Sequence, residues 1–136
     1  MMRVCFTVYG DPQGKARPRV LRSGRSFTPK KTADYERAIR MAYIEARGGC
    51  TEHPVKVSVA AYYRIPQSAS KAKRAAMLSN EILPAKKPDL DNVAKAVCDA
   101  LNMVAYKDDA QVCVLHVEKY YAAEPMIVVA VSEIIQ

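Results

Sequence analysis

Histidine and cysteine are scarce in this sequence of 136 residues. His53 and His116 are the two histidines, and Cys5, Cys50, Cys98 and Cys113 are the four cysteines. No two cysteines stand at metal-knuckle spacing, which argues against a zinc site. Four scattered thiols in a chain of this size do not imply a disulfide framework either. No run of about 18 apolar residues occurs, so no membrane-spanning helix is expected. Residues 1–10 alternate in polarity and lack the apolar block of a signal peptide, and a cytoplasmic location is the expectation. No glycine-rich phosphate loop accompanies a βαβ pattern, which counts against a nucleotide-binding fold. Internal repeats and low-complexity tracts are also missing. Half the residues are apolar, enough to bury a core, so a single domain over residues 1–136 is expected.

What is present is positive charge, unevenly placed. Net charge is +7, which by itself means only attraction to polyanions. Between residues 12 and 32 stand seven bases and no acid: Lys15, Arg17, Arg19, Arg22, Arg25, Lys30 and Lys31. Prolines and glycines interrupt this run, so it reads as a loop that presents its guanidinium groups outward, where they suit phosphate. Lys71, Lys73 and Arg74 form a second basic group, with Lys86 and Lys87 further on. Both groups are candidate nucleic-acid contacts.

Hydrophobic spacing gives the element order. Residues 2–9 read as a strand, 10–29 as a long loop, and 33–47 as a helix capped by Thr32 with Ala38, Met41, Ala42 and Ile44 on one side. Residues 55–65 alternate and read as a strand ended by Pro66. Ser68 or Ser70 can cap a basic helix over about 70–79. The clearest helix covers 90–103, where Leu90, Val93, Ala94, Val97 and Leu101 share one face. Residues 111–121 and 126–134 read as a hairpin joined through Glu124 and Pro125. The fold class is α+β: a mixed or mostly antiparallel sheet with helices packed on it.

The acidic residues carry the chemistry. Pro88 keeps Lys87 out of the helix, so Asp89 and Asp91 fall at its first turn, where backbone N–H groups favour anions. Lys95 follows Asp91 by four residues and Asp99 follows Lys95 by four, forming a polar stripe. A second pair, Asp108-Asp109, stands in the turn before the strand at 111–121. Carboxylates converging there would repel unless a cation sat among them, and oxygen ligands alone indicate Mg²⁺ or Mn²⁺. The plainer reading makes Asp89 a helix cap, Asp91–Lys95 a surface pair and Asp108-Asp109 a turn, and leaves a non-catalytic DNA-binding module. A transferase using Asp-x-Asp on a diphosphate is a third reading.

Four segments, Lys15-Ala-Arg-Pro-Arg19, Lys87-Pro-Asp-Leu-Asp-Asn92 with Lys95, Asp99-Ala-Leu-Asn102 and Asp108-Asp-Ala-Gln-Val112, together resemble the RusA family of Holliday-junction resolvases. The resemblance implies a single RusA-like domain and a homodimeric, Mg²⁺-dependent endodeoxyribonuclease that acts on four-way DNA junctions. By position, Asp89 and Asp91 match the paired catalytic aspartates, Lys95 the catalytic lysine and Asp109 the further aspartate, with Asp108 a neighbouring metal ligand. Ala16 and Met103 stand where relatives often carry glycine. A junction has two-fold symmetry, which a dimer matches. The apolar run at 126–131 and Tyr120-Tyr121 suit either the core or a dimer interface.

Overall fold

A computed structural model describes residues 2–16 and 19–135. The chain forms strand β1 (Arg3–Tyr9), a small ribbon of β2 (Arg19–Val20) and β3 (Ser26–Phe27), helix α1 (Lys30–Glu45) and strand β4 (Val55–Arg64). Helices α2 (Lys71–Leu78) and α3 (Leu90–Ala100) follow, then strands β5 (Val112–Ala122) and β6 (Met126–Glu133). The sheet runs β1-β6-β4-β5, antiparallel except for the parallel pair β4–β5. The α+β class with a mixed sheet is as expected.

The hairpin is not. β5 and β6 are consecutive and oppositely directed, but β4 lies between them. The link contains no residue suited to the positive φ of a tight two-residue turn, and its three residues reach about 10 Å, two strand spacings. Its ends are held elsewhere: Ile65 N donates to Ala122 O, and Gly10 N donates to Pro125 O. The run at 126–131 is therefore interior, with Ile127, Val129 and Val131 buried.

Strict alternation in β4 buries Val55, Val57, Val59, Ala61 and Tyr63 on the face carrying the helices. α1 and α3 pack there, contributing Ile39, Tyr43, Val93, Val97 and Leu101. Each such side chain adds about 1.5–3 kcal/mol of burial. α1 begins two residues before the Thr32 cap that the sequence suggests: Pro29 is the N-cap, without a side-chain bond, and Thr32 is buried in the first turn. Its inward face is Thr32, Tyr35, Glu36, Ile39 and Tyr43. Ala38, Met41 and Ile44 face solvent instead. Two tyrosines and a glutamate take the inner positions because their polar tips find uses there. Tyr43 donates its hydroxyl to Gly49 O, and Glu36 accepts from Lys15.

Ser70 caps α2 by accepting from Lys73 N at 3.2 Å. α2 packs beside β5, with Met77 buried and Lys71 and Lys73 exposed.

Candidate active site

α3 is the platform of the site. Asp89 is its N-cap residue in extended backbone, but its side chain makes no capping bond; the carboxylate pairs with Lys87 Nζ at 3.0 Å. Asp91 follows in the first turn. The segment leading into the helix is fixed from beneath. Tyr63 donates its hydroxyl to Pro88 O. Lys119, on the inner face of β5, donates to Lys86 O at 2.9 Å and lies over the Tyr63 ring. Neither Tyr63 nor Lys119 is among the residues the sequence points to. The parity of Val117, Lys119 and Tyr121 is the available signal, since it puts the lysine on the buried face.

The exit of α3 places the second acidic pair. The chain turns back on itself, with Met103 N donating to Tyr106 O at 2.7 Å and Tyr106 Oη to Cys98 O at 2.7 Å. Met103 sits at φ 66° and is 76% exposed. That left-handed conformation favours glycine, so Met103→Gly should raise stability by about 0.5–1 kcal/mol, the left-handed penalty outweighing the added chain entropy. Urea unfolding checks this, and a loss of stability would count against it.

Asp108 and Asp109 then divide their work. Asp108 caps the 3-10 turn Asp109–Gln111 in a capping box, accepting from Ala110 N at 3.3 Å. Gln111 completes the box and reaches across to Thr51 O and His53 O, both at 3.0 Å. Asp109 is thereby turned toward α3, where Asp91, Lys95, Cys98, Asp109, Val112 and Leu115 line an open cavity of about 380 Å³. Burial, the Asp99 carboxyl within hydrogen-bonding reach, and the charges of Asp108 and Asp99 push the Asp109 carboxyl above its ordinary value, opposed by the Asn102 amide.

The helical stripe does not pair along itself. Asp99 turns to Lys15 at 3.3 Å, and Lys95 makes no ion pair among the described residues, which leaves its ammonium available to the cavity. Lys15, read from the sequence as a phosphate contact, also points inward, with its Nζ 2.7 Å from Glu36 Oε1. Arg22 and Arg25 are exposed. Lys30 is exposed and pairs with Asp34 at 2.8 Å. Arg17 and the side chain of Arg19 lie outside the described residues. A cleft of about 640 Å³, lined by Pro12, Gly14, Pro29, Lys31, Lys87 and Pro88 among others, runs between the loop and the entry to α3.

The donor set fits a hard cation. Burial pushes the Cys98 thiol up to about 11, so it stays protonated and offers no thiolate. The crowding of like charge at Asp109 is what a cation relieves. No three acidic, histidine or cysteine groups close on one point among the described residues. Asp91 and Asp109 would hold such an ion by one or two carboxylates, with water and substrate phosphate completing its shell, as Mg²⁺ prefers.

The family model for the endodeoxyribonuclease RusA matches residues 9–132 of the chain. Over 135 residues the chain is 36% identical to the uncharacterized protein YqaN of Bacillus subtilis (strain 168), covering 95% of each.

Proposed function

Because the chain belongs to the RusA endodeoxyribonuclease family and is on that account a nuclease, we propose that it resolves four-way DNA junctions by paired, symmetric nicks in recombination and repair. The observation that supports this most directly is the meeting of Asp91, Lys95 and Asp109 around one cavity. Water attacks the scissile phosphorus, the P–O3′ bond breaks, and the products carry a 3′-hydroxyl and a 5′-phosphate. Asp91 and Asp109 would hold a Mg²⁺ ion, or Mn²⁺ in its place, which would supply positive charge to the phosphate oxygens and acidity to the water. Asp89 stands at the same helix end, and its exposed tie to Lys87 is weak enough to yield when a cation offers a better partner. Lys95 meets the charge that builds on the phosphorus as it becomes five-coordinate.

The basic loop and α2 hold the phosphate backbone and give affinity rather than base readout. Replacing Arg22 and Arg25 by alanine should lower the slope of log K against log[salt] by roughly one for each phosphate that the protein ceases to neutralise. Fluorescence anisotropy with a labelled junction measures this. An unchanged slope would mean that the ribbon only meets solvent.

The working unit is a homodimer, since one site makes one nick and a junction needs two. β5 is one of the two edge strands of the sheet, with Val114 exposed, and such an edge invites a second chain. The deciding experiment is cleavage of a synthetic four-way junction with Mg²⁺, beside a linear duplex and a metal-free control. Sedimentation equilibrium follows the dimer. Equal cutting of the linear duplex would reject junction specificity.

A further inference from the structure

Lys15 stands apart from the other bases in the loop. Its side chain is 17% exposed, and its ammonium lies between Glu36 of α1 (2.7 and 3.1 Å) and Asp99 of α3 (3.3 Å). Those carboxylates are 10% and 23% exposed. Its backbone N donates to Asn92 O at 3.1 Å. Next to it, Gly14 lies so close to α3 that a Cβ there would stand 2.9 Å from Asn92 Cβ. The root of the basic loop is thus pressed against α3 beside the acidic site.

We propose that Lys15 is a positioning residue for the cutting reaction: it clamps α1 and the loop root to Asp99, and thereby sets where Asp99 and its neighbour Asp109 stand. The Lys15 ammonium is hydrogen-bonded to Glu36 and ion-paired with Asp99, so two carboxylates already hold it against any phosphate. Glu36 and Asp99 would repel one another without a cation between them, and α1 and α3 would lose their polar tie. Burial works against the charge on Lys15, yet its two partners outweigh that and hold the proton more firmly than in free lysine. Asp99 in turn stands next to Cys98 and one helical turn past Lys95, which line the cavity with Asp109. A small displacement of Asp99 is thus passed along α3 to side chains of the site.

This rests on the reading of Asp109 as part of the cutting centre. The test compares the wild type with Lys15→Met, Lys15→Arg and Glu36→Gln, all as full chains with their folding checked by near-ultraviolet circular dichroism. Three quantities are read: the junction-cutting rate at saturating protein, the salt slope of junction binding, and Mn²⁺ affinity without DNA. Lys15→Met is expected to cut about 100-fold more slowly, the effect of a reacting group misplaced by about an ångström. Its salt slope should be unchanged and its Mn²⁺ binding weaker. Lys15→Arg should recover most of the rate. A slope lower by about one at an unchanged rate would make Lys15 a phosphate contact and overturn the proposal, as would wild-type rates in both Lys15→Met and Glu36→Gln. If Lys15→Met does not fold, Glu36→Gln decides. A slower rate at constant slope supports the clamp; a steeper slope with an unchanged rate, from a lysine released to DNA, refutes it. If the wild type itself cuts no junction, the functional reading fails separately. Mn²⁺ affinity then decides the clamp: weakened in the variants it stands, equal to wild type it falls.

Discussion

Asp91→Asn should reduce the single-turnover rate of junction cutting by on the order of 10³-fold while leaving junction affinity equal to or tighter than wild type. Asp91 is exposed in the first turn of α3 and lines the cavity with Asp109. The amide keeps the size and removes the charge, so a cation loses one of its anchoring oxygens and the phosphate loses a source of repulsion. The cost to folding is small, because a carboxylate at an exposed helix start contributes less than about 1 kcal/mol. Rapid-quench cleavage and anisotropy on the same preparation separate the two effects. Wild-type cutting by this variant would remove Asp91 from the metal site. In mixtures with wild-type protein, mixed dimers should nick one strand of the junction and leave its symmetric partner intact.

Lys95→Met is the second large effect, about 10²-fold on the same rate. The lysine sits one turn after Asp91, on the cavity wall, and forms no ion pair among the described residues. Its ammonium is committed to no partner among the described residues, so its attraction is spent on the substrate and grows as negative charge builds on the phosphoryl oxygens. Binding of the intact junction should change little, and Mn²⁺ affinity should rise or stay constant because a neighbouring positive charge has gone. If Lys95→Met instead weakens junction binding and leaves the saturated rate alone, the residue is an ordinary phosphate contact. Lys95→Arg separates charge from shape: partial recovery is expected, since guanidinium carries the charge but is broader and differently hydrated.

These residues are legible because their surroundings are local. The spacing of Val93, Ala94, Val97 and Leu101 fixes the buried face of α3, and everything on its polar side follows, including the placement of Asp91 and Lys95. The Asp108-to-Gln111 capping box is equally local, yet the sequence suggests only a turn or a metal ligand at Asp108. α1 is harder. Its inner face contains Glu36, and a glutamate is buried only when something reaches it; here that is Lys15, 21 residues away. Nothing in the local pattern distinguishes Lys15 from the arginines that follow it, so the pattern sends both partners to solvent. The strand order has the same difficulty. β5 and β6 announce themselves as successive strands, but β4 comes between them, its two backbone edges pairing with one each. Asp89 shows the limit of motif spacing: of two aspartates two residues apart, the first pairs with Lys87 and the second, inside the helix, lines the cavity.

The position of β6 in the sheet bears on how the protein is made. β6 comes last among the strands, yet it pairs with β1 from Arg3↔Ser132 to Tyr9↔Met126 and with β4 from Val55↔Glu133 to Tyr62↔Met126. During synthesis, β1 and β4 have no partner in common until it emerges. Before then the ribosome-bound chain can form α3 and even the parallel β4–β5 pair, but β1 has nothing to align with and the helices have half a floor. Folding therefore waits for nearly the whole chain, and pairings this far apart in sequence form slowly. A chain truncated before residue 126 should remain protease-sensitive although it contains all of α3 and its acidic groups, whereas adding the last strand should bring protection to every strand at once.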